Sequence, residues 1–311
     1  MKPKTKTINV MLLDGGLGDH IASTTAVYYI TQQYPWITPI IWAPDFIAEY
    51  MRNVLPGTEV YGLSEMRGRY DPTKPTKTTK WDGLTSSMKI HLVDYAFLKL
   101  CDELPSIEHK NYRRPDLSKI EVPELPKNFV VITTGYTAKV REWPAESVNG
   151  VVDYCVERGV TPVFLGQTQT STGVKHVIKG NFEQEIAFDK GLNLIDKTSL
   201  LQAMAIMSKA KAVLGVDNGL LHAAGCTDVS IIGGFTTVTP EIRMPYRNSI
   251  LGSNYYTVVP SMDLNCRFCQ EKTNFLYGHD YRNCLYNDER MVQCTKAMKA
   301  EQFIEYLKEI L

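Results

Sequence analysis

The chain is expected to be an α/β protein built on parallel sheets and divided into two domains. Three observations predict this. Ala212 to Val216 is an apolar run of buried-strand length; it ends at Asp217-Asn218-Gly219, and Leu220 to Ala224 then reads as a helix. The same order recurs upstream: Val130-Val131-Ile132, the turn Thr133-Thr134-Gly135, a helix over Ala145 to Arg158 stopped by Gly159, and a strand at Pro162 to Gly166. Finally, 311 residues suffice to bury two cores.

Taken in order, Thr7 to Leu13 is the first strand and Asp19 to Gln33 the first helix, with Ile21, Val27 and Ile30 on its apolar face. Between them Asp14-Gly15-Gly16-Leu17-Gly18 must turn tightly, but it is not a GxGxxG fingerprint. Asp19, at the helix entrance, has the chemistry of an N-cap. Ile37 to Trp42 is a strand, Asp45 to Val54 a helix, and Val60-Tyr61 a third strand. Arg67 to Lys89 carries six cations (Arg67, Arg69, Lys74, Lys77, Lys80, Lys89) against Asp71 and Asp82, and reads as a long loop. It is either a solvated linker or a basic flap over an anionic acceptor; Tyr70 and Trp81 would add stacking surfaces for a nucleic acid. A helix over His91 to Leu104 precedes a Pro-punctuated connection, Pro105 to Pro126. The boundary is placed there, giving domains 1–125 (with the basic loop 64–89) and 126–311. The second contains a short strand at Leu192 to Ile195, a capped helix entry at Lys197-Thr198-Ser199-Leu200, a strand at Ser230-Ile231-Ile232 with the loop Gly233 to Thr237, a cysteine-rich segment 262–296, and a final amphipathic helix over 300–311.

In open α/β sheets ligands bind at the carboxyl edge of the strands. Asp217, Asn218, Gly219 and His222 fall on that edge in one unit, with Asp217 able to act either as N-cap or as a ligand contact. Thr133, Thr134, Lys139 and Arg141 fall on it in the other, where hydroxyls and two cations suit a diphosphate. Zero formal net charge argues against non-specific coating of nucleic acid or membrane. No run reaches the 18 apolar residues of a membrane span, and the cytosol is the expected compartment. Cys101, Cys155 and Cys226 lie in apolar patterns and read as core. Cys266, Cys269, Cys284 and Cys294 cluster late in the chain, which in a cytosolic protein favours a metal over disulfides, with His279 as a substitute ligand. Zinc and iron suit such thiolates alike.

TTGYTAKVREWPAESV, VTPVFLGQ, KTSLLQAMAIMSKAKAVLGVDNGLLHAAG and the amino-terminal GGLGDHIASTTAVYYITQQYP together resemble the ADP-heptose:lipopolysaccharide heptosyltransferase family. The resemblance implies a GT-B architecture, two Rossmann-like domains facing across a cleft. It implies an inverting glycosyltransferase moving a heptose or another hexose or pentose from a nucleotide-diphosphate sugar, ADP-sugar favoured, with no catalytic metal. Asp19 becomes the candidate general base, and Arg141 stands where the family's phosphate-binding Lys occurs before Trp-Pro. Gln167 falls at the ribose position, where the family commonly has a carboxylate, and Thr198 beside the nucleobase. The cysteine cluster is similar to that of bacterial autotransporter heptosyltransferases, where it holds iron. The last helix is expected to cross back to the first domain. The amino-terminal half is short for the family, so the acceptor stays open: a saccharide, a protein, or a hydroxymethylated base in DNA. A homo-oligomer and a non-catalytic nucleotide-sugar-binding protein are the remaining readings.

Overall fold

The computed structural model describes residues 5–12, 15–79, 88–108, 110–135, 139–168, 186–247, 254–261, 266–272, 284 and 293–311. Lys80, Trp81, Asp82 and His279 lie outside them.

The first sheet contains β1 (Lys6–Leu12), β2 (Ile37–Ala43), β3 (Glu59–Gly62) and β4 (Thr76–Thr79), in the order β3-β2-β1-β4 and parallel throughout. Helices α1 (Leu17–Gln33), α2 (Asp45–Val54) and α3 (Leu92–Cys101) accompany it. The second sheet is also parallel, ordered β10-β9-β8-β5-β6-β7. Its strands are β5 (Phe129–Thr133), β6 (Thr161–Leu165), β7 (Leu192–Asn193), β8 (Ala212–Val216), β9 (Ser230–Gly234) and β10 (Tyr255–Val258). Helices α4 (Ala145–Glu157), α5 (Leu200–Met207), α6 (Gly219–Gly225) and α7 (Pro240–Arg243) connect them. Two single-turn helices, α8 (Cys269–Lys272) and α9 (Gln293–Lys296), precede α10 (Ala300–Ile310).

The apolar runs become central strands because both faces of the second sheet are covered. Val131 and Val213 join a core that reaches α1 and the first sheet, while their neighbours Val130, Ile132 and Leu214 join a second core under α4 and α10. Phe303 of α10 stacks on Trp143, ring centroids 4.3 Å apart. The last helix therefore packs on α4 and the second sheet, contrary to the expected return to the first half. It has no reason to cross over, since its apolar stripe is used up there.

Two expectations for the first half need correction. The basic loop is not wholly irregular: Thr76–Thr79 is β4, paired with β1. Three of its six cations are engaged locally: Lys77 with Asp102 at 2.8 Å, Lys74 with Asp71 at 3.7 Å, and Arg69 over the Tyr61 ring. Tyr70 meets Trp42 edge-on instead of standing free for stacking. Among the described residues no helix is long and apolar enough to cross a membrane.

Candidate active site

Each sheet has one point where the strand order reverses, and there the loops at the carboxyl ends part and leave a crevice. In the first sheet it lies between β1 and β4, at the loop leading into α1. Gly15 there has φ +113°, open to glycine and strained for other residues. Gly16, not Asp19, is the N-cap; the helix begins at Leu17 and Asp19 occupies its third position. The Asp19 Oδ2 accepts the Gly16 N–H at 2.8 Å, so one carboxylate oxygen closes the helix end. Burial raises the Asp19 pKa above the ordinary carboxylate value. Arg243, the Gly16 N–H and Arg141 oppose that rise, and Asp217 adds to it. Those causes place Asp19 in the same electrostatic neighbourhood as the second half's charged groups.

In the second sheet the reversal lies between β5 and β8. After β5 a 3-10 turn, Lys139–Arg141, presents Arg141, with the buried Trp143 two residues on. After β8 come Asp217 and α6. Asn218, not Asp217, caps α6: its Oδ1 accepts from the Leu221 N–H at 3.0 Å, and its amide donates to the Gly135 carbonyl at 2.8 Å. The Asp217 carboxylate, released from capping, faces Arg141 Nε at 3.5 Å and His222 Nε2 at 4.0 Å. Burial alone would raise the Asp217 pKa, but the Arg141 and Arg243 cations outweigh it and hold the carboxyl below its usual range. Burial pushes His222 down to about 4 although Asp217 opposes the shift, so the ring is neutral at physiological pH.

The two crevices meet where α1 and α6 touch end to end. A Cβ on Gly18 would stand 2.5 Å from His222 Cδ2, and one on Gly219 would stand 2.6 Å from Leu17 Cβ. Gly219 is thus needed for the helix contact.

Among the remaining predicted residues, Thr133 is fully buried, its hydroxyl donating to the Leu214 carbonyl at 3.3 Å, and Thr134 is buried beside it. The Lys139 side chain lies outside the described part. Gln167 is exposed at the end of β6, and Thr198 is half-buried before the capped start of α5. The adjoining Thr168 holds Asp196, from the end of β7, through its N–H at 2.9 Å and its hydroxyl at 2.6 Å. A carboxylate therefore does stand at this edge, supplied by a neighbouring strand.

Sequence reasoning missed Arg243 and Tyr112. Arg243 ends α7 beyond β9 and acts electrostatically on Asp19, Asp217 and His222. A Pro at the first helical position after the Gly/Thr loop marks that strand end, and the cation three residues on was the available signal. Tyr112 comes from the irregular connection, where nothing local distinguishes it.

The four late cysteines converge. Cys266, Cys269, Cys284 and Cys294 line one cavity of about 20 Å³ with Val140, Thr236 and Thr237, and none of the seven cysteines forms a disulfide. Burial first, then the neighbouring thiols, push Cys269 up to about 11 and Cys294 up to about 12. Among the described residues no group of three or more His, Cys, Asp or Glu is arranged to hold a metal ion. The thiols are gathered without being drawn into ligand geometry. Their cavity also abuts the turn that carries Arg141, since Val140 precedes it and the Val140 carbonyl accepts from the Thr236 hydroxyl.

The model of glycosyltransferase family 9 (heptosyltransferase) matches residues 88–277, more than half of the chain. A search of curated proteins finds no match. Among solved structures, the chain is similar to the bacterial iron-containing dodecameric glycosyltransferase TibC from enterotoxigenic E. coli H10407. The TM-score is 0.77 and the identity 16%, over 100% of this chain and 80% of that one. TibC in complex with ADP-D-beta-D-heptose gives a TM-score of 0.76 at 16% identity, over 100% and 77%. The E. coli ADP-heptose lps heptosyltransferase II gives 0.63 at 13% identity, over 97% and 98%. At such identities the likeness concerns the fold: two parallel α/β units facing each other in the GT-B manner.

Proposed function

The chain belongs to glycosyltransferase family 9, the heptosyltransferases, and from that premise we propose that it transfers a heptose from ADP-heptose to an acceptor hydroxyl, with inversion and with Asp19 as general base. The observation that carries the reading is the end-to-end contact of α1 and α6, which brings a carboxylate of raised pKa to a cleft lined by Arg141, Asp217 and His222. Asp19 takes the proton of the acceptor hydroxyl through the oxygen not committed to Gly16. The acceptor oxygen bonds to the anomeric carbon as the bond to the diphosphate breaks on the opposite face. Negative charge grows on the departing ADP, and Arg141, with Arg243 behind it, meets that charge in a site poor in water. Asp217 and His222 orient the donor; Thr133, Thr134, Asn218 and Gly219 shape the backbone around the diphosphate, with Lys139 in the same turn. Gln167 lies toward the ribose and Thr198 toward the base. The domain division 1–125 and 126–311 follows the same reading, with the acceptor on the first half.

Release of ADP from ADP-heptose by the purified protein tests the donor. Turnover at least about tenfold faster than with UDP- or GDP-sugars is expected; equal or faster use of those would refute the adenine assignment. Calorimetry tests the phosphate contact. Arg141→Ala should weaken ADP binding at least about tenfold, the loss of charge-assisted bonds worth about 1.5–3 kcal/mol. Unchanged affinity would remove Arg141 from the phosphate.

The four-cysteine cavity has the donor set for one structural ion, zinc or iron, with Cys266, Cys269, Cys284 and Cys294 as its ligands and no part in the chemistry, although the thiols are gathered there without ligand geometry. A cation there would favour the thiolates that burial and mutual repulsion otherwise disfavour. Protein purified without chelator should carry about one equivalent of the metal, and Cys266→Ser should lose it. Because Val140 lines the cavity, ADP affinity should fall with the metal. Elemental analysis finding neither zinc nor iron would discard this site.

A further inference from the structure

We propose that Tyr112 is a positioning residue that fixes the tautomer of His222, so that the neutral imidazole presents Nε2–H, a donor, to the cleft.

Tyr112 and His222 are both buried, at 2% and 3% exposure. The Tyr112 hydroxyl lies 3.0 Å from His222 Nδ1, and the rings run nearly parallel, 15° apart with centroids at 5.9 Å. The other imidazole nitrogen, Nε2, is the one turned toward Asp217 Oδ1 at 4.0 Å. Two proton arrangements fit the short contact: either the phenol donates into Nδ1, or Nδ1–H donates to the phenol oxygen.

Two physical arguments select the first. Among the described residues, Nδ1 is the one acceptor shown within reach of the Tyr112 hydroxyl, so the second arrangement would bury the phenol O–H unsatisfied, a cost of about 1–3 kcal/mol. The second arrangement would also turn the Nε2 lone pair toward a carboxylate that Arg141 and Arg243 keep ionised. Burial raises the Tyr112 pKa well above its ordinary value, so the phenol keeps its proton for donation. The result is a directed chain: phenol O–H to Nδ1, then Nε2–H outward. When the donor binds, that N–H meets an acceptor oxygen of the nucleotide sugar without adding a charge to be desolvated.

The backbone explains how a residue of the irregular connection reaches this point. The Tyr112 N–H donates to the Tyr246 carbonyl at 3.0 Å, and the following Arg113 N–H donates to Thr25 Oγ1 of α1 at 3.2 Å. The connection is therefore clamped between the two halves at the place where its phenol points to α6. His91 reinforces the clamp, its ring stacked on Tyr246 at 3.5 Å and its Nε2–H donating to the Met244 carbonyl at 2.8 Å.

Long-range proton–nitrogen NMR on the nitrogen-15-labelled protein reads the tautomer directly. The chain has six histidines, so His222→Gln identifies the His222 signals by their loss. The wild type should show His222 wholly as the Nε2–H tautomer. Tyr112→Phe keeps the ring and removes the O–H; it should give a mixture of both tautomers and lower kcat/KM for the nucleotide sugar by roughly tenfold. In the His222→Gln background the same change should add little, because Tyr112 acts through His222. An Nδ1–H tautomer in the wild type would overturn the proposal without any variant. A pure Nε2–H signal persisting in Tyr112→Phe would overturn it as well, whatever the activity. The kinetic effect presupposes His222 at the donor site; the tautomer signal does not. A tautomer shift with unchanged kinetics would therefore uphold Tyr112's control of the ring and count against the donor role of His222.

Discussion

Asp19→Asn should reduce sugar transfer by roughly 10²–10⁴-fold while ADP affinity stays near that of the wild type. A base acts on the acceptor hydroxyl as the proton leaves, so its loss is felt in the transition state and hardly in donor binding. Asn is a stringent probe because its carbonyl can still accept the Gly16 N–H that closes α1, leaving the helix end intact. The pH behaviour carries a second signature. The Asp19 pKa is raised, so kcat/KM should climb with pH across a limb above the ordinary carboxylate range, and that limb should vanish in the variant. Stability should move the other way. A carboxyl whose folded pKa exceeds its unfolded value stabilises the fold below the unfolded pKa, and that contribution is lost as pH rises through the folded pKa. At neutral pH this partly desolvated charge is a burden, so Asp19→Asn should melt somewhat higher than the wild type while transferring far less. Near-native transfer would leave the chain without this base. His20, the next residue, is buried against Phe46 and pushed down to about 4, and would be the group to test in its place.

Gly18→Ala should cost on the order of 10²-fold in turnover although Ala is the better helix former. Helix propensity alone would favour the change by about 0.5–1 kcal/mol. Space decides against it: the new methyl would stand 2.5 Å from His222 Cδ2 and 3.0 Å from Nε2, so either the imidazole turns away from Asp217 or α1 backs off and takes Asp19 with it. On the proposed mechanism both movements misplace a group aimed at the reacting atoms. Thermal denaturation should show a loss of about 1–3 kcal/mol, as in other overpacked contacts. Steady-state kinetics close to wild type would mean that the two helix ends stand apart in the working enzyme.

Much of the fold was legible because short apolar runs rich in β-branched residues and flanked by turn residues read as strands of a doubly covered sheet. That logic fails at sheet edges. Thr76–Thr79 has no apolar residue, yet its β-branched side chains suit the margin of β1, and the pairing there is made by backbone rather than by burial. Tyr255–Val258, the edge strand β10 of the second sheet, is likewise not evident, since of its four residues Val258 alone is buried. Helix ends were misjudged by one or two residues, which mattered, because moving the cap to Gly16 and to Asn218 left Asp19 and Asp217 with oxygens directed elsewhere.

The sequence by itself determined the parallel α/β class, the two strand-end motifs with Arg141, Asp217 and His222, the Gly-Asp entrance to α1, and the clustering of four cysteines in one segment. All of these are local: each rests on hydrophobic periodicity or on spacing within a few turns of chain. Tertiary structure alone decided which residues face one another. It brought Gly18 against His222, set Arg243 near Asp19 and Asp217, drew Tyr112 out of an irregular connection onto Nδ1, and pressed the cysteine cavity against the turn that carries Arg141. Such contacts join positions tens to hundreds of residues apart, and they arise from filling shared cores under the constraint that buried polar groups find partners. No short window of sequence encodes that constraint, because it is met by whichever side chain the packing delivers to the gap.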